Sequence, residues 1–193
     1  ATEYSVVGCV EAVCEGKCGH RPNGSGLINL GKIVEVALNN GVDPRTGICP
    51  HAGNGDLTTF KTFDEVFEAI KQFSAWYIRE QVIWDNIIDK CTEQYIGDPL
   101  VSMLIEDCIG RGRGLKEGGM YYDYAGPEFI GTANVGNCLA AIKKVVFEDK
   151  TLTAAQVMHA LHTNFKDMET SPTGAEIQQI LVSAPKFGND DDY

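Results

Sequence analysis

Two side chains near the start of the chain have the types and the spacing to act on one small molecule. They are Cys9 and Glu11 in the run Ser5-Val6-Val7-Gly8-Cys9-Val10-Glu11. In an extended backbone, residues i and i+2 point to the same side. The pair then offers a sulfur and a base to a shared substrate. Taken singly, each has a plainer reading: Cys9 as a buried strand thiol, Glu11 as a solvated or ion-paired carboxylate at a strand end. The pairing acquires chemical meaning only if the surrounding protein completes a site.

The other cysteines carry less. The chain has seven, at positions 9, 14, 18, 49, 91, 108 and 138. An odd number spread without a framework pattern points to free thiols in a reducing compartment. Cys14, Cys18 and His20 invite a metal reading. Their spacing matches no closed zinc pattern, so they read as thiols in a glycine-rich loop. Cys91, Cys108 and Cys138 lie in helical patterns and read as small core residues. His20 and His51 read as solvated loop residues.

Net charge over the 193 residues is −11. That balance disfavours a nucleic-acid backbone as partner, because phosphate binding needs clustered Lys and Arg. The one local basic cluster, Arg111-Gly112-Arg113 with Lys116 near it, reads as a solvated loop. No apolar run reaches the length of a membrane span, so no membrane partner is expected.

The elements that must position these groups are mostly helices. A strand is expected over residues 4–7, continuing to 13, and a Gly/Pro/Asn loop over 16–26. A helix is expected over 28–38, stopped by Asn39-Asn40-Gly41. Residues 42–57 read as an irregular connection. Thr62 and Glu65 form a capping box that opens a long helix to about Thr92, with Val66, Ile70, Phe73, Tyr77, Val82, Ile87 and Ile88 on a wide stripe. Asp98-Pro99 starts a helix through Ile109. Residues 118–131 hold three tyrosines among glycines and read as a short strand and a turn. Helices follow over 132–147, from the Thr153 cap to about Phe165, and from Thr173 through Val182. The short strands have no partners visible in the sequence, so the piece alone is expected to be marginally stable. A start on a strand-like run without Met, and an end on Asn189-Asp190-Asp191-Asp192-Tyr193, suggest an interior piece of a longer polypeptide.

An ordered series of motifs resembles the glycyl radical enzymes, the pyruvate formate-lyase-like proteins. It begins at Gly8-Cys9-Val10-Glu11 and runs through Asn39-Asn40-Gly41-Val42-Asp43-Pro44-Arg45-Thr46-Gly47. Phe60-Lys61-Thr62-Phe63-Asp64-Glu65, Glu106-Asp107-Cys108-Ile109 and Glu117-Gly118-Gly119 follow. Leu139-Ala140-Ala141-Ile142-Lys143-Lys144-Val145-Val146-Phe147 and Ala184-Pro185-Lys186-Phe187-Gly188-Asn189-Asp190-Asp191 complete it.

The resemblance implies an α/β fold: a helix-rich fragment of the family's ten-stranded α/β barrel, carrying the central cysteine loop. Residues 1–193 would then be an interior part of one catalytic domain, with the N-terminal barrel part and the C-terminal glycyl radical domain outside this sequence. It implies no cofactor bound in this chain. The glycyl radical would sit on residues absent here, installed by an activating enzyme that uses S-adenosylmethionine. A small-molecule substrate, a homodimer of the full-length protein and a cytoplasmic location are expected with it.

Matched by position, Cys9 is the thiyl-forming cysteine and Glu11 the base of the family's eliminating branches. The Cys-x-Glu pair departs from pyruvate formate-lyase itself, whose pattern has two adjacent cysteines. Glu128, in Gly126-Pro127-Glu128, stands where dehydratases and the choline lyase typically carry Gln. An acidic residue there resembles the arylacetate decarboxylases, where it meets the substrate; the alternative is a turn carboxylate. Those decarboxylases carry a His before the first helix, and Gly26-Leu27-Ile28-Asn29 has none. The expected function is a radical lyase eliminating water or a similar group from a small hydroxylated substrate. The alternatives are an arylacetate-type decarboxylase, a synthase adding hydrocarbons to fumarate, and a non-catalytic thiol-rich binding module.

Overall fold

The structure is a computed structural model and describes residues 4–8, 11–19, 26–190 and 193. By contact density the chain divides into two units, Ala1–Ile28 with Tyr77–Phe129, and Asn29–Trp76 with Ile130–Tyr193.

The first unit begins with a hairpin. Strand β1 (Tyr4–Val7) pairs antiparallel with β2 (Glu11–Cys14), in a register that puts Val7 opposite Glu11 and Tyr4 opposite Cys14. The expected single strand to residue 13 is therefore corrected: the chain reverses between Val7 and Glu11. Gly8 has a φ of 65°, a left-handed conformation that glycine adopts without steric cost. The strands are also not partnerless. β1 finds β2, and β3 (Gly26–Asn29) finds β4 (Pro127–Ile130), far away in sequence. The short strand expected within residues 118–131 is β4, at the end of that stretch after the tyrosines.

The remainder of this unit holds the second part of the long helix α2 (Phe63–Tyr95), then α3 (Pro99–Leu104) and α4 (Cys108–Arg111). Asp98 caps α3 by accepting from the Val101 amide, as its sequence signature required. The expected helix through Ile109 is broken between α3 and α4. Ile105 is extended, Asp107 is left-handed at φ 75°, and the Glu106 amide leaves the helical ladder to donate to the Gly16 carbonyl at 2.6 Å. The break lets Cys108 bury against Leu115 and Met120, with Ile105 packed on that cluster.

The second unit is built on helices. α1 (Leu30–Leu38) starts two residues later than expected, because residues 26–29 are β3. Asn29 caps it, accepting from the Lys32 amide at 3.1 Å. Gly41, at φ 88°, donates back to the Val36 carbonyl. A Cβ at Gly41 would lie 2.0 Å from the His51 carbonyl, so only glycine fits this stop. The Asp43-Pro44-Arg45-Thr46-Gly47 motif is a self-bonded loop: the Asp43 carboxylate accepts from the Arg45 amide, the Thr46 hydroxyl and Lys32 Nζ.

The Thr62–Glu65 box opens α2 as expected. Val66, Ile70 and Phe73 are buried, whereas Val82, Ile87 and Ile88, further along the expected stripe, are exposed. α5 (Thr132–Ile142) continues as a π-helical turn over Lys143–Glu148 and packs on α1 and α7 (Gly174–Val182); α7 also packs on α6 (Ala154–His162). Capping boxes at Thr153/Gln156 and Thr173/Glu176 start α6 and α7.

Cys91 and Cys138 do not join the core as expected. Both are exposed overall, and only Cys108 of the three is buried. His51 is not simply solvated either: its ring stacks on Trp76, with centroids 5.4 Å apart, and meets Phe73 edge-on. Among the described residues, no helix is long and apolar enough to cross a membrane.

Candidate functional site

Of the three side chains singled out in the sequence, Cys9 lies outside the described residues. The other two come together. Glu11 opens β2 and Glu128 is the second residue of β4, 117 positions further along by numbering. Their carboxyls are hydrogen-bonded to each other. Such a bond needs a proton, so one acid donates its O–H to the other's carboxylate. The Glu11 hydrogen bond, then partial desolvation, then the Glu11 charge hold the Glu128 carboxyl above the usual carboxylate range.

The expected pairing of Cys9 with Glu11 involves a residue outside those described. The hairpin supplies a different constraint. A Cβ at Gly8 would lie 2.5 Å from Glu11 Oε2. The missing side chain at position 8 is what lets the Glu11 carboxylate fold over the turn.

The base of the hairpin is stitched to the segment that leads to Glu128. The Glu106 amide donates to Gly16 and the Tyr122 amide to Lys17, and Cys18 forms a parallel bridge with Tyr122. The Gly19 amide donates to Met120 Sδ, and Lys17 Nζ lies 5.6 Å from the Tyr121 ring centre. The last stitch before Glu128 is Tyr124, whose hydroxyl donates to the Ala12 carbonyl at 2.5 Å. The sequence reading saw three tyrosines in this stretch but had no signal to tell which one reaches β2.

Cys14 and Cys18 bond locally: the Cys14 amide donates to Cys18 Sγ, and the Cys18 thiol donates to the Cys14 carbonyl, both at 3.3 Å. Among the described residues, no group of three or more His, Cys, Asp or Glu side chains converges as a metal site.

The described part of the candidate site is thus a pair of carboxyls on two strands, joined through their flanking segments. The profile of the family described as "PFL-like: Pyruvate formate lyase-like" matches residues 1–193, and the chain belongs to that family. It is 35% identical to the "Probable dehydratase YbiW" of Escherichia coli (strain K12), over 100% of this chain and 24% of that protein. It is 32% identical to the "Trans-4-hydroxy-L-proline dehydratase" of Clostridioides difficile, over 96% of this chain and 23% of that protein. The glycerol-bound B12-independent glycerol dehydratase of Clostridium butyricum superposes with a TM-score of 0.87 at 33% identity, covering 98% of this chain and 23% of that one. The chain thus spans about a quarter of the length of the relatives it matches. Its fold class is the expected one, a helix-rich part of the glycyl radical enzyme α/β barrel.

Proposed function

We propose that this chain contributes the reactive cysteine, Cys9, and the acid–base pair of a glycyl radical lyase that eliminates water, or a similar group, from a small hydroxylated substrate. The observation that carries this is the contact between the Glu11 and Glu128 carboxyls, which holds the Glu128 carboxyl above the usual carboxylate range. A glycyl radical on residues outside this sequence, installed by an activating enzyme that uses S-adenosylmethionine, would supply the unpaired electron.

The Cys9 sulfur, as thiyl, takes a hydrogen atom from a substrate carbon bearing a hydroxyl, forming S–H and a carbon radical. Glu11, the carboxylate of the pair, accepts the hydroxyl proton. The neighbouring C–O bond then breaks, and its oxygen leaves with the electron pair, taking the proton of the Glu128 carboxyl, as water. The product radical regains a hydrogen atom from the Cys9 thiol. Elimination takes up one proton and releases one, so a carboxyl pair holding a single proton ends in the state in which it began. Exclusion of bulk water by the completed barrel would protect the radical from side reactions. A homodimeric, cytoplasmic enzyme fits this reading.

A second reading is favoured by one residue. By the motif resemblance, Glu128 is an acid at a place where Gln is expected in the eliminating branches, which suits an arylacetate-type decarboxylase. Assaying the activated intact enzyme against glycerol, propanediol, hydroxyproline and arylacetates separates the two readings. For both, Cys9→Ala should leave the glycyl electron-spin signal in place while product formation falls to background. Turnover that survives this substitution removes the proposal.

A further inference from the structure

We propose that Tyr124 is a positioning residue that sets the separation of the Glu11 and Glu128 carboxyls. This rests on the reading of that pair as the proton-handling site. The Tyr124 hydroxyl donates to the carbonyl of Ala12, the residue directly after Glu11. Tyr124 itself lies four residues before Glu128. One side chain therefore joins the strand that carries one acid to the segment that delivers the other.

The stitches at Glu106, Tyr122 and Met120 are made by backbone amides or a thioether, and they reach the turn at residues 16–19. Tyr124 alone of these contacts reaches β2 itself. Its phenol is held in the donor form. Desolvation and the neighbouring Cys18 thiol, 4.0 Å from the hydroxyl, raise its pKa, with smaller contributions from Cys14 and Tyr4. Among the described residues, the titratable group acting on Glu128 is Glu11. A hydrogen bond between two carboxyls is steep in distance and angle. A β2 released from Tyr124 can drift enough to weaken the shared proton without unfolding the hairpin, whose four register pairs remain.

The test is an infrared pH titration of the intact protein, following the C=O stretch of protonated carboxyls. Glu128→Gln assigns the band, which should vanish in that variant. In the wild type the band should persist above the pH at which ordinary glutamates ionise. Tyr124→Phe keeps the ring and removes the donor. It should lower the midpoint of that band by roughly half a pH unit, the scale of one partly lost hydrogen bond. A 4-aminophenylalanine at position 124, which restores a donor, should bring the midpoint back.

In the activated enzyme, Tyr124→Phe should move the pH profile of kcat/KM in the wild-type background and leave it unmoved in Glu128→Gln. An unchanged midpoint in Tyr124→Phe overturns the inference, as does an equal profile shift in both backgrounds. Should Tyr124→Phe lose cooperative melting, the 4-aminophenylalanine protein decides by itself, because a midpoint away from the wild type's refutes the donor's role. The infrared titration needs no turnover, so it stands apart from any failure of the lyase reading.

Discussion

The Glu11–Glu128 contact brings two carboxyls within one hydrogen bond, and it constrains the small residue beneath Glu11. Gly8 is left-handed, and its Cα faces the Glu11 carboxylate so closely that a methyl group would stand 2.5 Å from Oε2. Gly8→Ala should cost about 1–2 kcal/mol through the backbone conformation alone. It should also push Glu11 away from Glu128. The expected outcome is a lowered denaturant midpoint together with loss of the raised carboxyl titration, measured on the same protein. A variant that kept that titration would mean that Glu11 has room the structure does not give it. Sequence spacing had put Glu11 beside Cys9 by strand alternation. The contact that emerged is with Glu128 and is long-range, so no local pattern could announce it.

At the scale of elements, the caps were the most legible features. A capping box satisfies amides within four residues of each other, so its partners sit side by side in the sequence. Thr62, Thr153 and Thr173 each open a helix with the partner that the pattern named. Thr153→Ala should cost about 1 kcal/mol, and Thr173→Ala a similar amount, read as shifts of the urea midpoint at constant slope. A shift near zero at both positions would show that packing of α6 on α7 sets their stability by itself. The broken helix between α3 and α4 was not legible. Glu106-Asp107-Cys108 has ordinary helical composition, and the break exists because the Glu106 amide finds Gly16, some ninety residues earlier in the chain. The hairpin was missed for a related reason: an apolar run interrupted by one glycine reads equally as a strand with a bulge or as two strands and a turn.

For the whole chain, the exposed part of α2 has the clearest consequence. Val82, Trp84, Ile87 and Ile88 are each about half exposed or more, on one helix of 33 residues. Apolar surface of this kind on an isolated polypeptide recruits partners or aggregates. The 193-residue chain by itself should bind a hydrophobic dye and scatter light as concentration rises. Val82→Glu combined with Ile87→Glu should reduce both effects without lowering the melting temperature, since neither side chain supports the described core. If dye binding is unaffected by that pair, the surface responsible lies elsewhere. The expectation of marginal stability from unpartnered strands loses its original ground, because the four strands among the described residues pair within the chain. The exposed helix replaces it with a different one.

The sequence by itself determined the capped starts of α2, α3, α6 and α7, the stop at Asn39-Asn40-Gly41, the acidic net charge and the family. The charge is a sum over residues, and each of the others is written in residues close together or in an ordered series of short motifs. Tertiary structure alone decided that Glu11 meets Glu128, that Tyr124 rather than its neighbours reaches β2, and that β3 pairs with β4. Those contacts join segments about a hundred residues apart, and their geometry depends on how the intervening helices close, which no local spacing encodes.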